Sequence, residues 1–524
     1  MVQLSKSGLE RQAQSRTTVH RTKQLITGTK LCMLVMGIII VISNFEIYEY
    51  IQHHDGAAAG STVGDNGGAV VVTNTIVHAT DEAQHQPIHV VFSTACSLSH
   101  DWQSYLFFFH ALKHGQQGDV TRIVSGCSPE DELKMHALHT AQFTIMNPNF
   151  LIHFTPEFGK QLADEGVSYQ KTKYWNKPFG LKHWMEHRFG YVWHDDDDSK
   201  ITVPEYDEHI IVLVDPDMLM QKPFVNDFSQ IPLDQWNRYY RERLDGDHTA
   251  PLVGKVTQGH PAAQDYSFGP KWLNPVRDYL EEIVQDPHSP VHTVSQNEAK
   301  YVYAAGPPYW MTARDAFRIS KKWTEFLPRI FKRHPQFMAE MYGYCMAAAH
   351  LGLKHQMARG MMISNINMPE GEGWSFLPKD PHACEVSRYH ATVPNVIHFC
   401  QRYAIGNYFI NKYLFPTDIL SCDFPLMELP PMTILQDTWY SHWGDGTIDQ
   451  WDQQKDDIRR YRNAFMICSL FPAMNAAATF YKDHHCDKDD PTTTYELTYN
   501  HFTSVKGMQN EQQQLAKKKK QQLQ

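Results

Sequence analysis

The sequence predicts an α/β protein, a mostly parallel sheet flanked by helices, with an N-terminal membrane helix. Three observations carry this. Strand-like HVVFS (His89–Ser93) leads into the helical pattern DWQSYLFFFHALKHG and then into strand-like VTRIVSG (Val120–Gly126). The helical PFGLKHWMEHRFG (Pro178–Gly190) precedes the apolar strand IIVLV, Ile210–Val214. Such alternation argues for β-α-β units. The third is LCMLVMGIIIVISNF (Leu31–Phe45), as apolar as a short single span needs to be.

Ahead of that span stand Lys6, Arg11, Arg16, Arg21, Lys23 and Lys30 against one acid, Glu10, whereas Glu46, Glu49 and Asp55 follow it. By the positive-inside rule residues 1–30 form a cytosolic tail, 31–50 a signal anchor, and the remainder is luminal or extracellular. A cleaved signal peptide is the alternative, but the 30-residue basic lead is long for one and no small-x-small site follows Ser43. Residues 51–86, which include GAAAGSTVGDNGG, read as a flexible stem. The globular body spans 87–430, followed by a helical C-terminal extension and a polar tail, 431–524, with a solvated Lys517–Lys520 run. In the first helix Asp101 is a cap, Tyr105, Phe108, Phe109 and Leu112 share a face, and Gly115 closes the end.

With 42% hydrophobic and 12% aromatic residues the chain fills a large core, and a net charge of -10 without a basic face excludes nucleic acid as a partner. Nine cysteines lack CxxC spacing, so a zinc knuckle is not expected; Cys32 falls in the span, and the other eight suit disulfides whose pairing the sequence leaves open. No Asn-x-Ser/Thr sequon occurs.

The strand IIVLV ends in Asp215-Pro216-Asp217. At the mouth of an open sheet, where ligands bind beyond the strands' carboxyl ends, unpaired carboxylates are costly. Mg²⁺ or Mn²⁺ held by one or two carboxylates and completed by substrate phosphates removes that cost, and the combination suits a nucleotide-diphosphate substrate. A plain Asp-rich turn is the structural alternative. A phosphatase reading of DxD fails because Leu219 stands where Thr or Val is needed. Asp483-His484-His485-Cys486 spells an acyltransferase tetrad but lies in what reads as a polar tail, without the several spans and zinc cluster of those enzymes. The run Asp195–Asp198 reads as a solvated loop rather than a calcium site.

In order along the chain, IHVVFSTACSLSHDWQ, HALKHGQQGDVTRIVSGC, YWNKPFGLKHWMEH, IIVLVDPDM, PPYWMTARD, EMYGYCMAAAHLGLKH and VIHFCQRYAIGNYFINKYLF resemble the peptidyl serine α-galactosyltransferase and hydroxyproline O-arabinosyltransferase group, from about Ile88 to Phe415. The resemblance implies a GT-A-like fold, a UDP-sugar donor with Mn²⁺ or Mg²⁺, retention of configuration, and a hydroxyproline-rich or Ser/Pro-rich protein acceptor. It also implies a single-pass type II protein of the Golgi or endoplasmic reticulum membrane. Asp217 becomes the metal ligand, Asp215 reaches metal or donor, and His398 completes the metal shell, a hydrogen-bonded core histidine being its alternative. Thr94 in the STACS loop, with Asn176 and Lys177 before the helix opened by Pro178, are donor-binding candidates, the latter pair at a helix N-terminus. Glu340, the only acid in FMAEMYGYCMAAAHLGL, orients the acceptor or supports the site, or makes a structural bond to an Arg or a backbone amine. DWQ, GQQGDVTRIVSGC, VDPDM and GNYFINK lean toward the serine galactosyltransferases, and EMYGYCMAAAHLGLKH equally toward the arabinosyltransferases. A membrane-tethered lectin that kept the fold and lost the chemistry is the non-enzymatic alternative.

Overall fold

The computed structural model describes residues 86–162, 167–193, 201, 203–229, 231–232, 235–236, 254–368 and 372–509. The expected cytosolic tail, the membrane span with Cys32, nearly all of the stem, the Asp195–Asp198 run and the lysine tail lie outside the described residues.

The periodicities of the sequence become β1 (Ile88–Ala95), α1 (Leu98–Lys113), β2 (Asp119–Ser125) and β3 (Phe150–Thr155), then α2 (Asn176–Phe189) and β4 (Ile210–Val214). Three further strands, β6 (Ala262–Asp265), β7 (Ala305–Thr312) and β8 (Gln356–Ala358), complete a seven-stranded sheet of order β3-β2-β1-β4-β7-β6-β8. Only β7 runs against its neighbours, so the sheet is mixed but mainly parallel. The chain winds outward from β1 to β3 and returns with β4 on the other side of β1. The strand order therefore reverses between β1 and β4, which opens a crevice at their carboxyl ends.

A small second sheet covers that end. In it β10 (Val396–His398) lies between β5 (Met218–Met220), antiparallel, and β9 (Met362–Ile363), parallel. Alternation along the central strands feeds two cores: Val212 and Val214 point to one, Ile211 and Leu213 to the other. The second core is closed by α2, by α3 (Ala313–Arg333) and by α4 (Ala339–His350).

The first core is closed by α1 and by α5 (Ile458–His485), the one helix among the described residues long and apolar enough to cross a membrane. It does not present an apolar surface, because Ile467, Leu470 and Phe471 are buried in the core and Ala473 O accepts from His110 Nε2 on α1 at 3.2 Å. Cys468 of α5 is disulfide-bonded to Cys384, and Cys486 at its end to Cys422. The Asp-His-His-Cys tetrad is thus the end of a core helix, not part of a polar tail, and its thiol is consumed. A third disulfide, Cys96–Cys127, ties the ends of β1 and β2; Cys345 and Cys400 are free. Asp101 does not cap α1. The helix starts three residues earlier, with Ser97 at the cap, and Asp101 pairs with the fully buried Arg122 at 2.8 Å.

Candidate active site at the strand ends

Asp215 is the first residue after β4 and Asp217 the last before β5, so the two carboxylates flank a turn rather than an extended segment. The turn is closed by Met218 N donating to Asp215 O at 3.2 Å, and it is pinned to the next strand by Phe399 N donating to Asp217 O at 3.0 Å. Pairing of Met218 with His398 in the β5–β10 register then sets the imidazole against the carboxylates. His398 Nε2 lies 3.2 Å from Asp217 Oδ1 and 4.0 Å from Asp215 Oδ2. One ligand atom from each of the three residues falls within 4.8 Å of the others. Two carboxylates and an imidazole are a donor set for Mn²⁺ or Mg²⁺. The other ring nitrogen, His398 Nδ1, is 3.3 Å from the Tyr266 hydroxyl, which fixes the ring as outer partners of metal-binding histidines do.

Each aspartate carries its own lysine. Lys177 Nζ stands 2.7 Å from Asp215 Oδ1 and 3.4 Å from Glu340 Oε1, and Lys412 Nζ is bonded to Asp217 Oδ2. Burial opposes charge on both lysines, but the facing carboxylates outweigh it and hold their pKa values above the ordinary lysine range. Burial works against Asp217 as well, yet His398 and Lys412 keep its carboxyl well below the usual value. For Glu340 burial wins: it raises the carboxyl to about 7, with Lys177 pulling down and Asp215 adding to the rise.

The structure thus brings Asp215, Asp217, His398, Lys177 and Glu340 together, and the partner it gives Glu340 is Lys177, not the Arg or backbone amine of the structural alternative. Asn176 and Lys177 do not precede α2 but form its first turn. The Asn176 amide is spent on bracing, accepting from Phe158 N and Gly159 N at 2.9 and 3.2 Å and donating to Glu157 Oε1 at 2.6 Å. Thr94 is likewise turned inward; its hydroxyl donates to Ile123 O and accepts from Arg122 Nε. Sequence reasoning passed over Lys412, Tyr266 and His100. Lys412 lay in view within GNYFINK. His100, bonded to Ser97 at 2.8 Å, is held near pKa 4 by burial and by the nearby Arg122 and Lys412. Tyr266 packs against Gly306, where an added Cβ would fall 1.9 Å from its ring.

No family model matches the chain. What it is similar to is a glycosyltransferase. Over 356 residues it is 23% identical to the peptidyl serine alpha-galactosyltransferase of Arabidopsis thaliana, a match covering 66% of this chain and 34% of the relative. The resemblance read from the ordered motifs is borne out by that relative, and the chain spans about a third of the relative's length. Two solved structures overlap it in part. The apo structure of the bifunctional glycosyltransferase WbbM shares 10% identity at a TM-score of 0.31, over 61% of this chain and 47% of that one. The galactosyltransferase LgtC, in complex with donor and acceptor sugar analogs, shares 12% at a TM-score of 0.30, over 60% and 87%.

Proposed function

We propose that the chain is a divalent-cation-dependent glycosyltransferase with a GT-A-type arrangement. It moves a sugar from a UDP-sugar to a hydroxyl of a hydroxyproline-rich or Ser/Pro-rich protein. The particular reading is galactose onto peptidyl serine with retention, in a type II protein whose body faces the Golgi or endoplasmic reticulum lumen. The observation that carries the reading is the meeting of Asp215, Asp217 and His398 at the reversal point of the sheet, within 4.8 Å of one another.

Those three residues would hold Mn²⁺ or Mg²⁺, and the ion supplies positive charge for the departing diphosphate. Lys412 and Lys177, at present neutralising Asp217 and Asp215, are ammonium donors of the kind that diphosphate oxygens accept from. In the transfer the bond from the sugar C1 to the diphosphate oxygen breaks and a bond to the acceptor oxygen forms on the same face. The acceptor proton passes to the leaving phosphate. Glu340, held beside Lys177, orients the lysine or the acceptor and is assigned no nucleophilic part.

A donor panel with Mn²⁺ and Ser-Hyp-rich peptides, with the modified residue mapped by mass spectrometry, tests the reading. Galactose on serine is expected. Product only from UDP-arabinofuranose, on hydroxyproline, would move the chain to the arabinosyltransferase reading, which the α4 sequence resembles equally. Turnover of no donor would leave a sugar-binding protein.

A further inference from the structure

Beside the carboxylates lies an open cavity of about 670 Å³. Its near wall is the chain that leaves the candidate site: Cys400 to Arg402, one residue beyond His398, and Tyr413 next to Lys412. Its other wall is the turn that joins the strands Tyr440–His442 and Ile448–Gln450, with Trp443, Asp445 and Thr447, then Asp449 and Trp451, and it is completed by Arg459 in the first turn of α5. A smaller cavity of about 340 Å³ shares Asp449, Trp451 and Arg459 and adjoins the cleft.

The chemistry of the lining narrows the occupant. Its guanidinium groups are matched by carboxylates: Arg402 Nη1 lies 2.9 Å from Asp445 Oδ2, and Arg459 Nε donates to Asp457 Oδ2 at 2.8 Å. There is no surplus of positive charge for a phosphate. The indole N–H groups are already committed, Trp443 to Asp449 Oδ2 at 2.7 Å and Trp451 to Ser441 Oγ at 3.0 Å, so they do not donate to peptide carbonyls. Each ring has a cation over one face, Lys412 over Tyr413 at 4.9 Å, Arg402 over Trp443 at 5.8 Å and Arg459 over Trp451 at 5.6 Å, so what the cleft offers a ligand is the opposite aromatic faces, with Tyr413 74% exposed, beside carboxylate, amide and guanidinium edges. Ring faces take the C–H side of a sugar, and such edges pair with hydroxyls, which both donate and accept. The volume suits a ligand of one or two rings.

We propose that this cleft is an acceptor subsite for a neutral sugar residue already attached to the acceptor polypeptide, next to the hydroxyl that reacts. The inference rests on the transferase reading above. It also places the enzyme in a sequence of reactions: the step that supplies its substrate is itself a glycosyl transfer to the same polypeptide.

Calorimetry on the full chain in detergent micelles, with a Ser/Pro-rich peptide and the same peptide carrying one galactose or arabinose, tests it. The glycosylated peptide is expected to bind about tenfold tighter, the worth of one good stacked ring with its hydroxyl partners. Tyr413→Ala and Trp451→Ala are expected to abolish that difference. Tyr413 is a surface residue, so its truncation keeps the melting temperature even where the Trp451 variant does not fold. Equal affinity of wild type for both peptides would overturn the proposal. So would variants that weaken the bare peptide as much as the glycosylated one, which would make the cleft a peptide groove. Donor turnover in the same preparation separates the two readings: UDP release without sugar-dependent binding removes the subsite and keeps the transferase, whereas sugar-dependent binding without UDP release removes the transferase reading and the acceptor role built on it, leaving a glycan-binding cleft.

Discussion

Asp217 is 5% exposed and bonded to both Lys412 and His398, so Asp217→Asn has two consequences that can be read separately. Turnover is expected to fall by about a hundredfold or more, because several kcal/mol of charge stabilisation disappear with the metal ligand. The fold is expected to lose about 3 kcal/mol, because the Lys412 ammonium is left buried without its partner. Adding Lys412→Met restores the melting temperature but not turnover. A folded Asp217→Asn protein with near-wild-type turnover would remove the metal assignment. Tyr266→Phe deletes only the hydroxyl that steadies His398, and Mn²⁺ affinity is expected to drop about tenfold in a direct titration. An unchanged affinity would show that the imidazole is held by its strand alone. Asp217 and His398 were legible in the sequence because Asp217 lies in the turn that follows the apolar strand β4 and His398 ends the short apolar strand β10. Lys412 was not singled out, because nothing within a few residues of it marks the aspartate 195 positions away.

Buried histidines fasten one element to another in their neutral form. His110 on α1 donates to Ala473 O of α5, His139 donates to Phe150 O at the start of β3, and His355 just before β8 contacts Tyr344 of α4. Burial, first among the causes, lowers their pKa values from 6.5 to about 3, about 4 and about 3. Above pH 6.5 both folded and unfolded states hold them uncharged and stability is at its full value. Below it the unfolded chain takes up protons that the folded one refuses. The melting temperature should therefore fall as pH drops from 6.5 toward 4. His110→Gln should flatten that dependence, and an unchanged slope would assign the acid sensitivity to other groups. The same contact makes α5 part of the first core, although by length and composition its sequence reads equally as a membrane span.

At the scale of the molecule, a chain ending at Pro430 is expected not to fold, because it loses the buried faces of Ile467, Leu470 and Phe471 at about 2 kcal/mol each and leaves Cys384 and Cys422 without partners. A chain running from Pro87 to the end is expected to fold and remain soluble in an oxidising compartment, since α5 is occupied inside the body. Near-UV circular dichroism and gel filtration check both outcomes; a folded 87–430 fragment would make the C-terminal region dispensable. By itself the sequence determined the alternation that builds β1, α1, β2, α2 and β4, the turn of carboxylates at the end of β4, and the family resemblance, all of which are written in neighbouring residues through periods of two and 3.6. The tertiary structure alone decided that β7 runs against the sheet, which cysteines pair, that Thr94 and Asn176 turn inward as braces, and which lysine sits on which aspartate. These depend on strand order and register, which bring distant segments within a few ångströms, and no local pattern encodes which distant charge a carboxylate will meet there.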